Sequence, residues 1–241
     1  MRDMRKITEE QNFIDSRNSF IKKFKDNDKC QNETNCEWKI FKQSFLKFAK
    51  YKCPICEHTL TNYDDIDHFR PKGEGYEFLR CCCDNYMIMC TECNRKFKKT
   101  SFPLKDRFKA TKREEIYKEK PLLVNPMIDN VLDFFEIHFL RSGENLLLEI
   151  HPNSSLNEQS FEYLKAEKTI ETYGIGSCST NAKIDGCRIN ILEEHYEKFI
   201  DLAKAREISL KKFLSMLKDT PKKQEYDFIK FIFNNQFKIL N

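Results

Sequence analysis

Four cysteines and the polar residues between them are where this chain can do chemistry. Cys53-Pro-Ile-Cys56 and Cys90-Thr-Glu-Cys93 are two C-x2-C pairs separated by 33 residues. A C-x2-C turn lets two sulfurs converge on one ion, and a second pair closes the tetrahedron that structural zinc prefers. Such a site supplies roughly 10–16 kcal/mol of apparent folding free energy in zinc-finger peptides. A redox reading of Cys53-Pro-Ile-Cys56 explains only one pair and finds no βαβ pattern around it. His58 and the run Cys81-Cys82-Cys83 are alternative ligands, although packing is the simpler use of three small side chains.

Between the pairs lies Tyr63-Asp-Asp-Ile-Asp-His-Phe-Arg-Pro-Lys72, then Asn85, with Asn94 directly after Cys93. Phosphodiester hydrolysis needs a base to deprotonate water, positive charge on the phosphate and help for the leaving oxyanion. One histidine and one divalent cation can provide these. Histidine suits the first task because an unperturbed pKa of about 6.5 leaves much of it neutral near pH 7. Aspartate and asparagine oxygens suit a hard cation such as Mg2+. Neighbouring residues on a regular strand point to opposite faces, so Asp67 and His68 can serve one phosphate only where the strand twists or ends. Asp65 shares a face with Asp67 and is a rival ligand. From Arg95 to Arg113 nine basic residues stand against one acid, Asp106. Such a run is either a solvated face or a set of phosphate contacts. Its place directly after the second cysteine pair favours contacts from Arg95, Lys98 and Lys99, with Arg70 and Lys72 extending the grip.

These residues need elements to hold them. The chain has 241 residues, 40% of them hydrophobic, and its 21 Phe against 6 Gly and 7 Pro favour helices with aromatic faces. Residues 1–52 read as helical, with Trp38, Phe41, Phe45 and Phe48 on one face of an amphipathic helix; the stripe reads as core rather than as a base-stacking platform. Residues 53–105 form the motif-dense centre, with short strands around Asp64–Phe69 and Tyr86–Met89 and a helix after Cys93. Residues 106–241 are mostly helical and suited to docking a partner. They hold one β-hairpin, in which Phe135, Ile137 and Phe139 precede the turn Ser142-Gly143-Glu144-Asn145 and Leu146, Leu148 and Ile150 follow it. Tyr163, Ala166, Ile170 and Tyr173 mark a helix stopped by Gly174 and Gly176. Ile189 to Ala203 mark another, a further one runs to about Leu217, and a last one covers Tyr226–Ile239. The expected fold is mainly α with a small zinc-bound ββα-metal core. The charged start, Met1-Arg2-Asp3-Met4-Arg5-Lys6, and the lack of any run of about 20 apolar residues point to the cytoplasm, with no membrane contact. The eleven cysteines are then expected to be reduced.

Taken together, C-x2-C, Asp67-His68-Phe69-Arg70-Pro71-Lys72, Asn85, Cys90-x2-Cys93-Asn94-Arg95-x-x-Lys98 and Phe102-Pro103-Leu104 resemble the HNH nucleases with a ββα-metal core. Among these the pattern is most similar to the PtuB-like subunits of Septu-type and retron-linked anti-phage systems. About fifty central residues carry most of the resemblance, which continues more weakly through Pro121–Pro126 and Ala166–Gly174. It implies His68 as general base, Asp67 and Asn94 as ligands of Mg2+ or Mn2+, and Asn85 as the residue that fixes the histidine loop. Asn94 stands where the family name expects histidine, and an amide oxygen can still bind Mg2+. The implied substrate is DNA or tRNA. The implied partners are a PtuA-like ATPase and a retron reverse transcriptase with its RNA–DNA. No Gly-rich phosphate loop is present, so ATP dependence would come from the partner. The alternative is a catalytically inactive zinc module that only binds nucleic acid.

Overall fold

The structure, a computed structural model, describes residues 1, 3–23, 36–56, 58–142 and 145–175. A 3-10 turn, Arg5–Glu9, leads into helix α1, Gln11–Lys23, and a second 3-10 turn, Trp38–Phe41, runs directly into α2, Lys42–Phe48. Aromatic spacing draws these pieces together. Phe13 meets Phe41 and Phe45 at 5.4 and 5.5 Å between ring centroids, and Phe20 meets Phe41 and Tyr86 at 5.3 and 5.8 Å. Phe41 and Phe45 are fully buried, as the stripe requires. Trp38, at the open end of the segment, is only half-buried. Contrary to the expectation of eleven reduced cysteines, Cys36 and Cys81 are joined in a disulfide, their Cα atoms 5.3 Å apart.

Strands β1, Asp65–His68, and β2, Tyr86–Met89, form a two-stranded antiparallel sheet in which Asp67 faces Met87 and His68 faces Tyr86. The helix expected after Cys93 begins slightly earlier and has a wider turn: Glu92–Lys98 is a π-helix, closed by Lys99 N–H donating to the Asn94 carbonyl at 2.7 Å. Such widened turns recur at functional sites. The centre is thus two strands followed by a helix.

Downstream, residues 103–105 pair with 120–122, and Glu119 clips the surrounding loops. Its carboxylate, 0% exposed, accepts hydrogen bonds from Tyr76 Oη (2.7 Å), Ala110 N (2.9 Å) and Arg70 Nε (2.7 Å). A short helix, α3, Val131–Phe134, enters the expected hairpin of β3, Phe135–Ser142, and β4, Asn145–Pro152, whose turn residues Gly143 and Glu144 lie outside the described residues. Helix α4, Phe161–Tyr173, starts at Ser160, whose hydroxyl accepts from Tyr163 N, and ends at Gly174 in the left-handed conformation glycine favours. Thr169 on α4 accepts from Val124 N at 2.8 Å, and Lys165 pairs with Asp129 at 2.6 Å. One buried cluster runs from Met4 and Phe45 through Cys53, Ile66 and Cys93 to Val124 and Tyr173. Among the described residues the protein is partly helical rather than mainly α, because 3-10 turns, loops and two small sheets connect short helices. The helices expected over Ile189–Ala203, up to Leu217 and over Tyr226–Ile239 lie outside the described residues. No described helix is long and apolar enough to cross a membrane.

Candidate metal centre and polar cleft

The sulfurs of Cys53, Cys56, Cys90 and Cys93 lie within 4.8 Å of one another, and all four residues are buried. Tetrahedral zinc with Zn–S bonds of about 2.3 Å sets sulfurs roughly 3.8 Å apart, and Cys56 Sγ lies 3.6 Å from Cys90 Sγ. Backbone amides prepare the cage: Cys90 N donates to Cys53 Sγ and Cys93 N to Cys90 Sγ, each at 3.4 Å. Burial pushes the Cys53 and Cys93 thiols up, whereas hydrogen bonds from the other thiols hold Cys90 well below the ordinary range. Any thiolate charge in this buried cluster needs a counter-charge. A thiophilic dication answers that charge and allows more, so the donor set fits a metal ion such as zinc. His58 is exposed and no part of the cluster, and neither is the Cys81–Cys83 run. Cys81 is in the disulfide, and burial raises the Cys82 thiol and pushes Cys83 up to about 11.

The cage anchors both sides of the polar segment. Cys90 follows β2 directly, Cys93 lies inside the π-helix with Asn94 next to it, and the first pair precedes β1. Asp64, a residue that sequence reasoning passed over, ties them together. Its buried carboxylate accepts from Thr61 N at 2.7 Å and from Thr91 N, inside the second C-x2-C turn, at 3.0 Å.

His68 is buried at the end of β1, edge-on to Tyr86 at 4.9 Å and to Trp38 at 5.8 Å. Its Nε2 lies 2.8 Å from the Arg80 carbonyl, which also accepts from Tyr86 Oη at 2.8 Å. A carbonyl can only accept, so Nε2 carries the proton and Nδ1 keeps its lone pair. Burial lowers the His68 pKa, with Lys72 and Lys98 adding to the fall against the opposing Arg80 and Asp67, which favours the neutral ring. Asn85 secures the turn after His68. Its side chain accepts from Arg70 N (2.8 Å) and donates to Arg70 O (2.9 Å), and its carbonyl accepts from Phe69 N (2.8 Å).

A cleft of about 460 Å³ opens beside this strand end, lined by Trp38, Asp65, Asp67, His68, Lys72, Asn94, Arg95, Lys98 and Lys99 among others. Asp67 and His68 therefore reach one cavity despite the alternation of the strand. Lys98, expected to grip phosphate, is 1% exposed; its Nζ donates to Asp67 Oδ2 at 2.9 Å and to the His68 carbonyl at 2.8 Å. Arg70 is likewise turned inward, paired with Glu119 and stacked 5.2 Å from the Phe102 centroid. In both, a tertiary carboxylate already holds the charge that the sequence reading offered to phosphate. The rival ligand Asp65 is taken by Arg95, at 2.6 Å, while the Arg95 side chain remains 68% exposed. Much of the basic run is similarly engaged: Lys109 with the Glu74 carbonyl, Lys112 with Glu115, Arg113 with Asp84. Lys72, Arg95 and Lys99 are the exposed cations at the cleft. Asp67 Oδ1 and the Asn94 amide have no protein hydrogen-bond partner among the described residues, and carboxylate and amide oxygens are donor types that hard dications take.

No family model matches the chain, and no solved structure does. Septu protein PtuB of Bacillus mycoides (strain KBAB4) is 30% identical over 149 residues, which cover 56% of this chain and 46% of that protein. The chain thus spans about half the length of this relative. Through more than half of its own residues, the chain is similar to Septu protein PtuB.

Proposed function

We propose that the chain is a metal-dependent nuclease of the HNH type, cutting phosphodiester bonds in DNA or tRNA. The observation that carries the reading is His68, fixed through Nε2 by the Arg80 carbonyl and sharing one cleft with Asp67 and Asn94. In this reading His68 Nδ1 accepts the proton of the attacking water. Asp67 and Asn94 would hold Mg2+ or Mn2+, which supplies positive charge for the phosphate and the leaving oxygen. Asn85 keeps the loop after His68 in place, Lys98 holds Asp67, and Lys72, Arg95 and Lys99 take the flanking backbone. The four cysteines would hold zinc as a brace. The likeness to Septu protein PtuB supports a place as effector in a bacterial anti-phage system. A PtuA-like ATPase would then control it, alongside a retron reverse transcriptase where one is present.

The test is incubation of the protein, alone and with a PtuA-like ATPase, with plasmid and with total tRNA in Mg2+ or Mn2+. Cleavage is expected with at least one substrate, falling at least about a hundredfold in His68→Ala. Cleavage that survives His68→Ala removes the base assignment. Salt-sensitive binding without turnover under any condition favours a zinc module that only binds nucleic acid.

A further inference from the structure

Trp38 is the one tryptophan of the chain, and it packs only partly against the core. Phe41 and Phe45, next on the same stripe, have no exposed surface, whereas Trp38 stays half-buried and forms part of the cleft wall. Its ring stands 5.8 Å from the His68 ring, and the Lys72 ammonium lies 5.8 Å from its centroid. Arg95 and Lys99 line the same cleft. An aromatic face beside cations that can follow a sugar–phosphate backbone is the combination by which proteins hold single strands. Bases inside a duplex are stacked on one another and offer no free face. An aromatic wall set within a cleft is therefore usable only by a nucleotide that has left its stack. Tyr63 and Tyr117 are far more exposed but lie outside the cleft wall.

We propose that Trp38 is a base-stacking platform, and that the cleft takes a nucleic acid with an unpaired nucleotide next to the phosphate held beside His68. The proposal rests on the nuclease reading for the nature of the polymer and deepens it by naming the substrate as single-stranded or locally unpaired. Lys72, on an exposed and flexible side chain, moves from the ring to the backbone as the base arrives.

With a single tryptophan the protein reports on itself. The full chain with zinc retained and Ca2+ in place of Mg2+ is titrated with single-stranded DNA and RNA of about twelve nucleotides. A blunt duplex of the same sequence and a strand carrying abasic sites serve as controls. Intact single strands are expected to quench tryptophan emission, and the duplex and abasic strand to leave it unchanged; the deeper quench tells DNA from RNA. Trp38→Ala should weaken single-strand binding by about tenfold or more, leave duplex binding as it was, and be largely rescued by Trp38→Phe. Equal quenching by duplex and single strand, or quenching by neither, overturns the platform, as does a Trp38→Ala protein that keeps its single-strand preference. A protein that stacks single strands but cuts nothing keeps this proposal and ends the nuclease reading. One that cuts blunt duplex equally well without quenching does the reverse.

Discussion

Lys98 Nζ bridges Asp67 Oδ2 and the carbonyl of His68, two consecutive residues that a regular strand would turn to opposite faces. A buried ammonium in that position holds the carboxylate in one orientation and is committed to it. If the proposed nuclease function holds, Lys98→Met is expected to lower cleavage about 10–100-fold, as loss of a partner that orients a metal ligand does. The slope of binding affinity against salt should stay unchanged, whereas a phosphate-contacting lysine would reduce it by about one. Measured affinities across a salt series decide the matter, and a reduced slope would return Lys98 to the backbone grip. The residue types at the site were legible in sequence because the cysteine spacing brackets them. Which cations face water was not, since Lys98 and Arg70 are turned inward by Asp67 and Glu119, 31 and 49 positions away.

The small sheet and the helix after it read clearly from alternation and from the second cysteine pair, and β2 appears within its expected limits. The π character of Glu92–Lys98 did not, because hydrophobic spacing over seven residues cannot separate a wide turn from an ordinary one. Nor did the clip at Glu119, which joins the nearby Ala110 to the distant loop carrying Arg70 and Tyr76. Arg70→Met leaves that carboxylate buried without its counter-charge and is expected to destabilise the protein by about 3–5 kcal/mol. Denaturant unfolding would register this as a lower midpoint. An unchanged midpoint together with weaker nucleic-acid binding would mean that Arg70 serves the ligand instead.

At the scale of the whole molecule, the cysteine cage belongs to the same buried cluster as the N-terminal aromatics and α4. A metal held there is therefore expected to matter to more than its own loops. Apparent zinc binding of roughly 10–16 kcal/mol matches or exceeds the whole stability of an ordinary domain, about 5–15 kcal/mol. Treatment with a strong chelator should abolish cooperative thermal unfolding followed by circular dichroism, and added zinc should restore it. A transition that persists after chelation would show that folding does not depend on an ion there. The disulfide escaped sequence reasoning because nothing in the spacing of Cys36 and Cys81, 45 positions apart, marks them as neighbours. It has a topological consequence. Trp38, the first C-x2-C pair, β1 with Asp67 and His68, Lys72 and the Arg80 carbonyl all lie inside one covalent ring. A backbone break anywhere within that ring leaves two pieces still tethered, so the wall bearing the tryptophan and the strand bearing the histidine are kept together by bonds as well as by packing.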